Sequence, residues 1–551
     1  MSDKTRSGLA ALEAAMLLGV LGDALLRATP WGINLLLWTC ALALATFALL
    51  WRWRREALKS EGQWLLLPVI FFAAAFVWRD SAPLQALDIL ALLVALSLYA
   101  LSVSGGRIVR AGLFDYALGI IVAGLSAMLG SIPLLISDVK WAEIPRTGWS
   151  RHLFAVARGL VIAVPLLFIF GLLFMAADAV FEGIVNRTFN LNADQLLSHV
   201  VLTVFIAWVA GGFLREALMG GNIFFRKGAL FEVTTLDLAG TKMGLSEEKS
   251  GEVKNEVDKN VANGGAKASR LLSLGVVEIS VVLGLLDLLF LAFVVIQVRY
   301  FFGGAALVRA SSAMTYAEYA RRGFFELTWA AALVLPILLV AHWLLRKEKP
   351  LHERIFRVLA GTQVLLLFVI MASALGRMRL YQNEYGLTEL RLYTTAFMIW
   401  LLLVFLWFCA TVLRGARERF ACGALVAAFL ITGALHFINP DALIVRTNMA
   451  HSQASRSFDA GYALSLSADA APALLQTMNA LSEQDRCAVA SRLLQNWSTP
   501  ARPDWRTWNL SRSRARESVQ ANAETLRALS CQQNEPERRD IIDEVPPPPT
   551  Q

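Results

Sequence analysis

The chain has 551 residues, of which 56% are hydrophobic and only 17% charged, and its formal net charge is +8. An ordinary soluble domain carries about 25% charged residues, so a string of soluble domains is excluded despite the length. The positive balance does not point to nucleic acid either, because the basic residues sit in short loops between apolar runs, as membrane topology requires.

Roughly a dozen apolar stretches run through the first four-fifths of the chain, most of them near the ~20 residues that a helix needs to cross hydrocarbon. Only helices and closed barrels satisfy their backbone there, and barrel strands would be short and alternating. The expected fold class is therefore all-α, a polytopic transmembrane helical bundle of about 11 to 13 spans with a small helical C-terminal tail domain. In chain order the spans fall near 9–26, 31–51, 63–78, 84–104, 112–136, 160–177, 196–214, 271–296, 324–345, 355–375, 392–413 and 420–438. Lys4 and Arg6 precede the first run as in a signal peptide. Glu13 and Asp23 interrupt that run and no A-x-A site follows, which favours an uncleaved helix. Trp31, Trp51, Trp64, Trp78 and Trp343 stand at span ends, where amphipathic rings prefer the headgroup level.

Four units follow from this pattern: a membrane bundle over 1–219, a flexible cytoplasmic loop over 220–270, a second membrane bundle over 271–438, and an extramembrane tail over 439–551 with a proline-rich end. The loop contains GLSEEKSGEVKNEVDKNVANGGAKAS, polar and charged with both signs. Such a segment buries too little apolar surface to order itself, and it reads as a linker or a partner-docking site. Clusters at Arg52–Lys59, Arg107–Arg110, Arg346–Arg357 and Arg414–Arg419 mark the cytoplasmic side. This puts the N-terminus inside and the tail outside. Three spans then separate Arg110 from Arg215, where an even number is required. The stretch 112–136, with Asp115, Gly124, Gly130 and Pro133, is the one expected not to cross simply.

The tail reads as helices over 469–479, 482–496 and 509–530, with Ser482 and Asp485 spaced as a capping box. Cys487 lies near the start of one helix and Cys531 just past the end of the next. Consecutive helices joined by a short turn pack antiparallel, so a disulfide between Cys487 and Cys531 is expected in an oxidising compartment. Cys40, Cys409 and Cys422 show no C-x-x-C spacing, and no metal site or cofactor is expected.

Few residues carry chemistry. Asp287 lies deep in an apolar run, where a charge costs a few kcal/mol and tends to face protein. It is either a proton or ion site, or a neutralised or paired core acid. Glu278, nine residues earlier, lies on another face. His342 and His436, near span ends, read as packed or interfacial residues. Pro165 and Pro336 can kink their helices. The stretch from Tyr300 to Trp329 reads as an amphipathic surface helix with Glu318–Arg322 and Arg322–Glu326 pairs and a neighbouring Arg321. Between spans, RMRLYQNEYGLTELRLY sets Arg377, Arg379, Glu384, Tyr385, Glu389 and Arg391 among tyrosines. This is either a site for an anionic or amphipathic ligand or a network closing the outer end of the bundle. No nucleophile elbow, zinc-protease helix or phosphate loop is present in the sequence, so an enzyme is not expected.

Several stretches together, RGLVIAVPLLFIFGLLFMAADAVF, TYAEYARRGFFEL, YGLTELRLYTTAFMIW, NPDALIVRTN and LSLSADAAPALL, resemble a bacterial integral-membrane family catalogued as domain of unknown function 4173. The resemblance spans roughly Arg158 to Leu475. It implies a bacterial inner-membrane protein and carries over no reaction and no residue. Two readings remain in front: a transporter of a small or amphipathic solute, and a scaffold or sensor accessory whose tail and loop dock partners. The expected partners are the lipid bilayer and an unidentified solute or protein, with no nucleic acid.

Overall fold

A computed structural model describes residues 1–106, 108–143, 193–219, 276–310, 324–345, 350–455, 458–498 and 504–530. The span expected at 160–177, the loop 220–270, and Glu318, Arg321, Arg322 and Cys531 lie outside the described residues. Among the described residues the regular elements are all helical. Ten of them are long and apolar enough to cross a membrane, or up to 11 if one bent pair counts as a span.

In the first half, α1 (Asp3–Leu26), α2 (Ile33–Trp53), α3 (Leu66–Trp78) and α4 (Ala82–Val103) run up and down. The connection between α3 and α4 is only Arg79, Asp80 and Ser81, and a proline opens the first turn of α4, where its missing N–H costs nothing. The helix α6 (Ala193–Met219) lies antiparallel to α1. His199 meets Asp23 near the end of α1, while Arg215 and Lys4 share Asp138 at the opposite end. That second end also holds Arg54, which donates to the carbonyls of Ala217 and Val103 at 2.9 and 3.1 Å. It is the basic end of the molecule.

The stretch expected not to cross simply is α5 (Leu113–Leu129) followed by Ser131–Asp138, bent by 40°. Its start is tied to the basic end, where the Tyr116 hydroxyl donates to the Ile108 carbonyl. Its finish is tied there too, through Asp138. Between them Trp208 of α6 donates to Met128 O and Ser131 to Trp208 O. The segment is thus a bent helix pair held against α6. Gly212 permits this approach, since a Cβ there would fall 2.1 Å from the Ala127 carbonyl; small residues let membrane helices meet this closely.

The second half contains α7 (Val276–Ala310), α8 (Phe324–Leu344), α9 (Pro350–Tyr385), α10 (Glu389–Thr411) and α11 (Phe420–Ile438). The surface helix expected from Tyr300 instead continues α7 without a break as far as Ala310. On α7, Ile279, Leu283 and Asp287 are buried, spaced four apart on one face. Val281, Val282, Leu285, Leu288 and Leu289 are exposed, as a lipid-facing surface requires. α11 joins the halves through packing on α3, α4 and α5.

A single left-handed residue, Asn439 (φ 54), ends α11, and Pro440 opens α12 (Pro440–Ser455). Both choices follow helix-end preferences. The tail continues as α13 (Ala460–Ser465), α14 (Ala471–Thr477), α15 (Glu483–Trp497), α16 (Leu510–Ala521) and α17 (Ala523–Leu529). The helix expected over 509–530 is interrupted at Asn522. Ser482 caps α15 by accepting from the Asp485 N–H. The tail has its own apolar core, including Val445, Leu474, Val489, Leu493, Val519 and Leu526.

Candidate functional site

The densest buried polar network lies where the tail meets the bundle, at the end opposite Lys4 and Arg54. Its need begins with α3. A helix leaves its last carbonyls without internal partners, and here α3 stops against protein, not water. The tail supplies the missing donors. Asn509 Nδ2 donates to the carbonyls of Phe76 and Arg79 at 2.7 and 2.9 Å. Ser511 Oγ donates to the Trp78 carbonyl at 2.8 Å.

Arg79 turns back under this cap. Its Nε and Nη2 donate to the carbonyl of His436 at 2.8 and 2.6 Å, and its Nη1 to Asp469 Oδ1 at 2.9 Å. The guanidinium also lies over the Trp78 ring, 4.9 Å from its centroid. Asp469 accepts the Asp80 N–H at 2.7 Å and shares the single Ser511 hydroxyl proton with the Trp78 carbonyl. The Arg79 and Asp469 side chains are 9% and 1% exposed. A pair that deep costs several kcal/mol per ion in lost hydration, and only complete hydrogen bonding offsets it.

Three further contacts extend the network. Arg512 pairs with Asp80 at 3.2 Å and donates to the Thr507 and Trp31 carbonyls. His436 Nε2 sits 2.9 Å from Asp88 Oδ1, both side chains buried. Asp441 accepts from the Ser467 backbone N–H and hydroxyl. Burial pushes the Asp80 carboxyl up to about 6; Arg512 opposes the shift, while Asp469 and Asp441 add to it. Burial also raises Asp441, against the Ser467 hydrogen bonds.

The residues singled out from the sequence fall elsewhere or at the rim. Arg391 donates to the Tyr385 carbonyl at 3.1 Å and lies over the Tyr381 and Tyr385 rings at 4.0 and 6.0 Å. The Glu389 N–H donates to the tail's Tyr462 hydroxyl at 2.8 Å. These contacts close the turn between α9 and α10 onto the tail. Arg377 lies within α9 and Arg379 on its exposed side; Glu384 is in the last turn of α9 and Glu326 in the first of α8. Asp287 is buried, and neither carboxylate oxygen has a hydrogen-bond partner among the described residues. Glu278 faces outward. Cys487 is held in a disulfide, whereas Cys40, Cys409 and Cys422 are free. Among the described residues no three His, Cys, Asp or Glu are arranged to hold a metal.

Sequence reasoning missed Arg79, Asp88, Asp441, Asp469 and Arg512, and read His436 as merely packed. One signal was present: a carboxylate inside an apolar run singles out Asp287, and Asp88, within Ala82–Val103, meets the same criterion. For Arg79 and Asp469, 390 residues apart, no local pattern announces the pairing.

Fold and network together define a polytopic helical membrane protein with a helical C-terminal domain clasped to one end of its bundle. The chain belongs to the family described as Domain of unknown function (DUF4153), which it matches over residues 66–477. This corrects the family number suggested by the sequence, 4173, and extends the match toward the N-terminus to include Arg79 and Asp88. No curated protein and no solved structure matches the chain.

Proposed function

We propose that this protein is a scaffold or sensor accessory of a bacterial inner membrane, with its basic end in the cytoplasm and its tail outside. The observation that carries the reading is the Arg79–Asp469 clasp. A tail held by buried charge-assisted bonds keeps a fixed orientation on the bundle, which suits presenting a surface to a partner. The disulfide at Cys487 supports an oxidising location; Cys531, its expected partner, lies outside the described residues. Alkaline phosphatase fused after Ile438 is expected to be active, and an inactive fusion would reverse the orientation.

A second reading, transport of a small or amphipathic solute, is favoured by one feature, the unpartnered buried carboxylate of Asp287. Buried ionisable groups in membrane helices often lie on proton or ion paths. The two readings part in a host strain deleted for the gene. A scaffold predicts that Asp287→Asn complements the deletion, while Asp469→Ala, inserted at normal levels, does not. The opposite pattern supports transport and overturns the scaffold.

A further inference from the structure

The tail's described surface is polar almost throughout. Three large apolar side chains are exceptions, Leu443, Trp505 and Trp508, with Trp505 63% and Trp508 43% exposed. The two tryptophans lie in the turn that meets the ends of α1 and α2. Leu443 follows one turn after Asn439, where α11 stops. Trp505 opens a short turn (Trp505–Thr507) and Trp508 follows it, and the turn is fastened to the ends of two spans. The N–H of Ile33, the first residue of α2, donates to the Trp508 carbonyl at 3.0 Å. Arg506 donates to the Ala24 carbonyl, two residues before the end of the span Asp3–Leu26. Gly32 lets the turn approach this closely, since a Cβ there would fall 2.3 Å from the Trp508 oxygen.

These bonds fix the depth of the turn. The first residues of a span lie at the edge of the hydrocarbon, so a side chain attached there and uncovered by protein meets the headgroup layer. Tryptophan, with an apolar ring and one N–H donor, is the side chain enriched at that level. The charged residues of the turn suit the same layer, because Asp504 and Arg506 neutralise each other.

We propose that the turn 504–509 is a lipid-interface anchor, with Trp505 and Trp508 seated among the headgroups and upper acyl chains beside α1 and α2. Its partner is the bilayer surface itself. The anchor adds to the tail's attachment independently of the Arg79 clasp, and it holds whichever side of the membrane the tail occupies.

A benzoylphenylalanine placed at position 505 of the full chain, in nanodiscs of phosphatidylethanolamine and phosphatidylglycerol, tests this. Leu430, 67% exposed on α11, serves as a lipid-facing control, and exposed Gln495 on α15 as a water-facing one. Irradiation is expected to give lipid adducts at 505 in a yield close to that at 430 and about tenfold that at 495, as the steep polarity change across the interface implies. Adducts to protein, or none while position 430 labels, overturn the anchor. A second readout needs no unnatural residue. Trp505 and Trp508 are 2 of 16 tryptophans, and the double variant Trp505→Phe/Trp508→Phe should lower the emission quenched by lipids brominated near the headgroup. Unchanged quenching also overturns the proposal.

Discussion

At the joint between tail and bundle, each buried carboxylate has at least one donor: Asp469 meets Arg79 and Ser511, Asp88 meets His436, and Asp441 meets Ser467. In the second half of the bundle, Asp287 meets none among the described residues. Gln363 of α9, also buried, has neither amide atom bonded among the described residues. The two regions therefore use polar residues differently. At the joint, charge is spent on fixing one domain against another. Around Asp287 the surroundings are an apolar core of α7 to α11, and the polar group adds nothing visible to its cohesion. Residues retained at a cost to stability are the ones to examine for activity.

The contrast is sharpest in substitutions that remove one charge. Arg79→Met strands Asp469 in a buried site and frees the His436 carbonyl. A loss of about 3–5 kcal/mol is expected, as for other broken buried pairs. Thermal unfolding and protease release of the tail would report it, and Arg79→Met/Asp469→Leu should recover much of the loss. Wild-type melting of the single variant would end the claim that the clasp holds the tail.

Shape at the joint is the next test. Gly32→Ala sets a methyl group against the Trp508 carbonyl, with an expected cost of about 1–3 kcal/mol from overpacking. The tail should show raised hydrogen exchange around Trp508 while α7 to α9 stay unchanged. Exchange altered equally in both places would mean that the joint is not a local contact.

For Asp287 the sign reverses. An unmet buried polar group costs about 1–3 kcal/mol, and an apolar replacement of similar size removes that cost. Asp287→Leu is therefore expected to raise the melting temperature in detergent, even where it abolishes an activity. A clear drop in melting temperature would reveal a partner and erase the contrast.

The smallest effect concerns acidity. Asp80 titrates at about 6 in the folded protein, above the ordinary ~3.9 of an aspartate. A raised carboxyl binds its proton more tightly when folded, so its contribution is fully present below about pH 4 and fades as pH rises through about 6. Asp441 shifts in the same direction. Protease release of the tail should accordingly slow as pH falls from 7 toward 5, and Asp80→Asn should flatten that dependence. Faster release over the same range would contradict it.

What could be read from the sequence follows the range of the forces involved. Spans such as Ile33–Trp53 and Ala82–Val103 are written locally, as runs of apolar residues, and the short-range Ser482 cap on α15 is equally legible. For 112–136 the basic loops on either side ask for something other than a simple crossing, and the structure shows a helix pair bent by 40° there. The break at Asn522 was not visible, because Asn is tolerated within a helical pattern and the local bonds decide. The joint was invisible for a different reason. Arg79 looks like any interfacial arginine and Asp469 like any helix-start aspartate; only tertiary packing brings them together.

The separation of 390 residues between Arg79 and Asp469 also has a consequence in time. Chains emerge from the ribosome N-terminus first, so the loop between α3 and α4 is made long before its cap. Until α16 arrives, the Phe76, Trp78 and Arg79 carbonyls and the Arg79 cation await partners encoded near the other end of the message. A chain interrupted after Ile438 would carry every described span and still lack the donors that finish α3. Completion of the clasp thus waits for α16, however many of the spans have already been made.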